Sequence, residues 1–162
     1  MTAAQAPRRS EAEQARLETT LTELFERRQR FNQTMGLRVH RLDRHGVTLT
    51  FDMRPDLVGH DHYERLHGGV ISATLDATGG AALLVALAEK HADETTEQVM
   101  HRYSRFGTID LRVDYLRPGL GRNFIASAEV IRLGGRIGST QMRLVNDAGT
   151  LVATGAAAYV IS

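Results

Sequence analysis

The residue whose chemistry stands out is Asp76, an acid in the middle of the longest apolar stretch of the chain, VISATLDATGGAALLVALAE, residues 70 to 89. An unpaired ionised carboxylate in apolar surroundings is costly, so Asp76 requires a partner, a wet cavity or a proton. A carboxylate placed there can activate water or attack a carbonyl carbon itself. His67-Gly68-Gly69 opens the same stretch. If the stretch is a helix, Gly68 stands at its N-terminus, where free backbone N–H groups and the dipole can hold the negative charge that grows on a carbonyl oxygen. Glycine there lets a substrate come close to the backbone. A base or nucleophile together with an oxyanion donor is the equipment of hydrolysis at a carbonyl. Each feature also has a plainer explanation: a buried Asp can simply bond to a neighbouring backbone or hydroxyl group, and two glycines can merely shape a tight turn.

Other chemistries are narrowed by composition. The chain has no cysteine, which removes disulfides, thiolate metal sites and a Cys nucleophile. His60, Asp61, His62 and His67 are metal-ligating types close in sequence, but histidine in a loop ahead of a helix is usually solvated or structural, and no metal is expected. A formal charge of +1 gives little reason to expect nucleic acid. Lys90 is the only lysine, so the cations are nearly all arginine. The guanidinium fork suits phosphate, although a coding bias toward arginine explains the same composition.

At 162 residues the chain is about one domain long, and 42% hydrophobic with 24% charged residues is a soluble globular balance. Residues 1–16 are polar and small and are expected to form a flexible leader to a domain spanning 17–162; they lack the apolar core of a secretory signal, which points to the cytoplasm. Leu17, Leu21, Leu24 and Phe25 give an amphipathic pattern for one helix from Ser10 to about Gly36. Two alternating runs, 37–42 and 47–53, flank His45-Gly46 as a β-hairpin. Pro55 then opens a loop that reaches residue 66. The stretch from Gly69 to Lys90 reads as a helix apolar almost all round, which must be covered on most sides. A membrane span needs about 20 consecutive apolar residues; Thr74, Asp76, Thr78 and Gly79-Gly80 interrupt this one, so burial under a sheet is expected and a membrane span is not. The polar segment 91–106 yields no path. Four alternating runs follow, 107–117, 123–133, 136–146 and 150–161, separated by Pro118-Gly119-Leu120-Gly121, Gly134-Gly135 and Asn146-Asp147-Ala148-Gly149, which favours consecutive antiparallel pairing. The order β-β-α-β-β-β-β predicts an α+β domain, a six-stranded antiparallel sheet wrapped around a long central helix, with an extra N-terminal helix.

The stretch from Leu66 through His67-Gly68-Gly69 to Asp76 resembles the HGG-x6-D signature of the PaaI-type hotdog-fold acyl-CoA thioesterases. The stretch from Gly107 through Thr108 to Pro118-Gly119 resembles the third strand of that family, and within it the chain looks like the YigI-like branch. The likeness runs from about residue 30 to the C-terminus. It implies the hotdog fold and hydrolysis of an acyl-CoA thioester, with medium to long acyl chains in that branch. CoA is then part of the substrate and no cofactor is needed. It also implies a homodimer or a dimer of dimers. The same fold carries acyl-CoA-sensing regulators and dehydratases, so function needs its own argument. A non-catalytic acyl-CoA-binding module needs no acid at position 76. A dehydratase needs a His paired with Glu or Asp, which the HGG entry does not fit well.

The resemblance makes Asp76 the catalytic carboxylate and Gly68 the oxyanion donor, with Gly69 beside it against the substrate. Thr108 stands where these enzymes place a Ser or Thr that positions water with the Asp. By strand alternation Thr108, Asp110, Arg112 and Asp114 project away from the row Ile109, Leu111, Val113 and Tyr115. Where the family has Asn or Gln, six or seven residues before the HGG histidine, this chain has His60 and Asp61; His60 is the candidate substitute, since imidazole also donates to oxygen. His67 is expected to bond the backbone or orient the loop. Arg117, Arg132 and Arg136 border strand ends and are candidates for the CoA phosphates. Leu83, Leu84, Leu87 and the 91–106 segment are expected to set the depth of an acyl pocket between subunits. Eight residues separate Gly68 from Asp76, about 12 Å along one helix. One carbonyl cannot touch both, so the site is expected to be shared between two chains.

Overall fold

The computed structural model describes residues 8–60 and 62–162. Residues 1–7 of the leader, and Asp61, lie outside the described residues. The central element is helix α3, Gly68–Lys90. By length and composition it could cross a membrane, but its apolar sides are covered by protein. On one side Ile71, Leu75 and Leu83 pack against the sheet; on the other Ala81, Leu84, Val85 and Ala88 meet the N-terminal helix and a second short helix. Two coverings, one on each side, explain why the segment is apolar round its circumference rather than along a single stripe.

The sheet is formed by β1 (Arg38–Asp43), β2 (Gly46–Asp52), β5 (Gly107–Tyr115), β6 (Asn123–Leu133), β7 (Ile137–Asn146) and β8 (Leu151–Val160), in the order β1-β2-β6-β7-β8-β5. All its pairings are antiparallel. Its inner face alternates as a half-buried sheet should, with Val47, Leu49 and Phe51 from β2, Phe124 and Ala126 from β6, and Thr140, Met142 and Leu144 from β7. Phe51 and Phe124 stack at 5.2 Å between ring centres. Six antiparallel strands around one helix give the hotdog arrangement expected.

Consecutive pairing holds for β6-β7-β8 but not for β5 and β6. The Pro118–Gly121 segment is a crossover rather than a hairpin turn, carrying the chain from β5 at one edge to β6 beside β2. Its Gly119 carbonyl accepts from the Leu66 N–H at 2.9 Å, tying the crossover to the start of α3. The expected loop before α3 contains two short strands, β3 (Val58–His60) and β4 (Arg65–Leu66), paired with each other.

The N-terminal helix is not one piece. Helix α1 spans Glu11–Glu23 and passes into a π-helical turn, Leu24–Arg28. Gln29 is extended (ψ 97°), and α2, Arg30–Met35, ends at Gly36, a left-handed cap with φ 72°. The 91–106 segment forms α4, Thr96–Tyr103, opened by a capping box between Thr95 and Gln98. Helix α1 begins inside the leader expected to be flexible, capped by Ser10. Arg9 anchors it, donating to the carbonyls of Ala88 (2.7 Å), His91 (2.8 Å) and Glu94 (3.1 Å). Ala88 is in the last turn of α3, whose carbonyls lack helical partners, and His91 and Glu94 belong to the turn that follows it. Composition alone does not reveal this use of a polar leader.

Replacing Arg9 with Ala should therefore lower unfolding free energy by about 1–3 kcal/mol, the range for hydrogen bonds made by a charged group, measured by denaturant titration. Below Arg9, the Arg102 guanidinium holds the Glu94 carboxyl under the usual carboxylate range. A depressed folded pKa stabilises the protein above the ordinary Glu value, about 4.3, and that stability disappears as pH falls through the depressed value. The melting temperature should drop as pH is lowered from 5 to 3, and Glu94→Gln should show a shallower drop over the same window.

Candidate active site

Asp76 lies on the flank of α3 that neither covering closes. The Thr108 hydroxyl donates to its Oδ1 at 2.8 Å, and the Tyr159 hydroxyl donates to its backbone carbonyl at 3.0 Å. Thr108 reaches the helix against the expected alternation. A β-bulge interrupts the pairing of β5 with β8 between Thr108 and Asp110, so that Thr108 pairs with Tyr159 and Leu111 with Ala157. Tyr159 and Ala157 both face the core, and the bulge therefore turns Thr108 to the same side as Leu111 and Val113. Ile109 is the residue displaced, 57% exposed.

Tyr159 is buried, and its hydroxyl fits because residue 79 has no side chain: a Cβ there would sit 2.4 Å from the Tyr159 oxygen. Burial first, and the Asp76 carboxylate second, hold the Tyr159 phenol well above the usual tyrosine range. It stays a proton donor at neutral pH and fixes the helix backbone at Asp76. Tyr159 is a positioning residue that sequence reasoning missed. The available signal was one tyrosine among alanines on the inward-facing row of the last strand.

Beside the Asp76–Thr108 pair is a cavity of about 250 Å³. Ala73, Ala77 and Gly80 form its helix wall, while Phe25, Gln29, Phe31 and Asn32 from the N-terminal segment and Tyr103 and Phe106 from the 91–106 segment close around it. The 91–106 segment thus supplies part of the wall of this cavity. Leu83, Leu84 and Leu87 are not among its lining residues: all three are buried in the core of the chain, Leu83 against β7 at Gly138. On an all-round apolar helix, sequence does not mark which face meets a cavity.

At the other end of the helix, His67 is the N-cap. Its Nδ1 accepts from the Gly69 N–H at 2.8 Å, and its carbonyl accepts from Val70 (3.0 Å) and Ile71 (3.3 Å). A side chain on Gly69 would meet the imidazole at 2.9 Å, so glycine there keeps the cap in place. Gly68 opens the helix, and the Tyr115 hydroxyl donates to its carbonyl at 3.1 Å. Strand β5 thus contacts α3 at both places, Asp76 through Thr108 and Gly68 through Tyr115. Within one chain the two ends remain apart.

The other candidates are dispersed. His60, on β3, lines a different concavity with Tyr63 and Arg122, its ring 5.0 Å from that of Tyr63. Arg117 follows β5 and donates to the Leu151 carbonyl. Arg132 lies on the outer face of β6 opposite Ser139, and Arg136 is in the β6-β7 turn, at the far end of the strands from Arg117. The fold does not gather the three arginines. Among the described residues no three His, Asp or Glu side chains converge as a metal site would require.

A family model described as the thioesterase superfamily matches residues 63–153, a span that includes the His67 cap, Asp76 and Thr108. The medium/long-chain acyl-CoA thioesterase YigI of Escherichia coli K12 is 34% identical over 139 residues, covering 86% of this chain and 90% of that protein. The protein of the same name from Salmonella typhimurium matches to the same extent. A crystal structure from Shewanella oneidensis, described as related to the thioesterase superfamily, superimposes with a TM-score of 0.89 at 38% identity, covering 94% of this chain and all of that one. By the family match and by its identity to these relatives, the chain belongs to the thioesterase superfamily.

Proposed function

We propose that this protein is an acyl-CoA thioesterase that cleaves medium- to long-chain acyl-CoA into free acid and CoA, working as a homodimer or a dimer of dimers. The carrying observation is the Thr108–Asp76 hydrogen bond at the mouth of a largely apolar cavity. A hydroxyl that donates to one carboxylate oxygen fixes the acid's orientation and leaves the second oxygen to take a proton from water or to attack the thioester carbon. The Thr108 oxygen keeps lone pairs with which to accept from that same water. In the water route, a hydroxyl adds to the carbonyl as Asp76 takes the proton; the C–S bond then breaks, and the proton passes to the departing CoA sulfur. A binding module without chemistry needs no carboxylate held at a cavity, whereas hydrolysis does. The names of the E. coli and Salmonella relatives support the acyl-CoA substrate class and its chain length.

The oxyanion donor in this reading is the Gly68 N–H of the partner subunit. Strand β5 is an open edge of the sheet, with Ile109, Tyr115 and Leu116 about half exposed along it. Two β5 edges paired antiparallel about a two-fold axis centred between Leu111 and Arg112 set Thr108 of one chain opposite Tyr115 of the other, and this is the register we propose. Because Thr108 holds Asp76 and Tyr115 holds Gly68, that pairing brings the carboxylate of one protomer toward the helix N-terminus of its partner, twice per dimer.

Asp76→Asn, which keeps the shape and removes the base, should lower kcat/KM for thiol release from dodecanoyl-CoA by about 10²–10⁴-fold. Thr108→Val should lower it by about ten- to a hundredfold, the equivalent of one bond to a charged group. Both should melt within a few degrees of the wild type. Undiminished thiol release by Asp76→Asn would overturn the assignment.

A further inference from the structure

We propose that the cavity between Asp76 and the α1–α2 hinge is the acyl-chain subsite of the reaction proposed above, on which this inference rests, and that Phe31, Gln29 and Tyr103 set which chains it accepts. The N-terminal helical segment is then part of the substrate site rather than an ornament on the domain.

The polar side chains of the cavity wall are bonded largely to one another. The Gln29 amide donates to the Tyr103 hydroxyl, and Asn32 Nδ2 donates to the Gln29 side-chain oxygen and to the Phe25 carbonyl. These groups satisfy one another, so the wall they form offers an incoming molecule mostly carbon. Burial, reinforced by Asp76, raises the Tyr103 phenol above its usual range and keeps it neutral. Its ring packs edge-on against Phe25 and tilted against Phe106.

Charge decides which part of an acyl-CoA belongs here. Among the described residues no arginine, lysine or histidine lines the cavity, and Asp76 is the one carboxylate there. Phosphates would be repelled and left without partners, whereas an alkyl chain loses only its contact with water. The thioester carbon must also reach Asp76, so the chain attached to it enters the space next to that residue.

The hinge gives the cavity its shape. The π-helical turn Leu24–Arg28 delivers Gln29 in an extended conformation, and the Leu24 carbonyl holds its N–H. This break aims the Gln29 side chain at Tyr103 and swings α2 so that Phe31 stands at the rim, 64% exposed. A π-turn interrupting a helix beside a ligand cavity is a recurrent functional device. An unbroken α1–α2 helix would leave Gln29 no such route to Tyr103.

The test compares wild type, Ala77→Leu, which fills the cavity from its floor, and Phe31→Ala, which trims the rim at an exposed position and carries little folding risk. Thiol release is measured with butanoyl-CoA and dodecanoyl-CoA, and binding with CoA and an S-dodecyl-CoA thioether. Both variants should lower the dodecanoyl-to-butanoyl ratio of kcat/KM, Ala77→Leu by about tenfold or more, and should weaken S-dodecyl-CoA binding while leaving the affinity for CoA unchanged. The proposal is overturned if both chain lengths change by the same factor, or if CoA binding weakens as much as thioether binding. Wild-type protein that releases no thiol from either substrate would refute the thioesterase reading instead. The binding arm still decides the subsite in that event: selective loss of S-dodecyl-CoA affinity upholds it, and equal affinity in all three proteins refutes it.

Discussion

A single rigid helix that must be covered on nearly every side, and that carries one carboxylate, governs the whole arrangement. Stripping water from an unpaired carboxylate costs several kcal/mol even after relaxation, so Asp76 cannot sit under the middle of the sheet as Leu75 does. The sheet takes one side of α3 and the α1–α4 pair takes another. Between them a flank stays open where the last covering strand, β5, runs along the edge. Asp76 occupies that flank, and the nearest donor is a threonine on the edge strand.

The bulge at Ile109 is the local device that makes this work. Side chains on a regular strand alternate, so an unbroken β5 would put Leu111 and Thr108 on opposite faces. One extra residue restores Thr108 to the helix side, at the cost of exposing Ile109. The same strand runs on to Tyr115 and the entry of α3, so one edge holds both halves of the chemistry. The helix between them does not bend or shorten. Its 1.5 Å rise per residue fixes the separation of Gly68 and Asp76 at about 12 Å. An edge that carries both anchors, together with a helix that keeps them apart, is what the proposed two-fold partner rests on.

Much of this was legible in the sequence, for reasons that differ from one element to the next. The β1-β2 hairpin, α3 and β6-β7-β8 follow from hydrophobic period and turn residues, both local signals. The placement of Asp76 within α3 and of Gly68 at its start was legible from the apolar run and the glycine pair, and His67 as a backbone-bonding residue from its place before the helix. What could not be read depends on tertiary partners. The facing of Thr108 hinges on a bulge defined by β8. The Pro118–Gly121 crossover looks like a hairpin turn until β2 competes for β6. Gln29 lies in an amphipathic pattern with no visible break, and its role depends on Tyr103, 74 residues away. Leu83, Leu84 and Leu87 could not be told from cavity-lining residues on a helix apolar all round.

The central claim, that one catalytic site draws on two chains, is most directly tested by mixing two inactive variants. Asp76→Asn removes the carboxylate. Gly68→Pro removes the N–H while keeping the helix, because proline suits the first helical position and His67 already has the extended backbone (ψ 135°) that proline requires before it. After the two proteins are unfolded together and refolded, half of the dimers are mixed, and each mixed dimer contains one site with both Asp76 and Gly68 intact. Thiol release should return to about a quarter of the wild-type rate, as random two-fold assembly requires. A mixture no more active than its components would mean that Asp76 and Gly68 do not act across a subunit boundary, and would contradict this account.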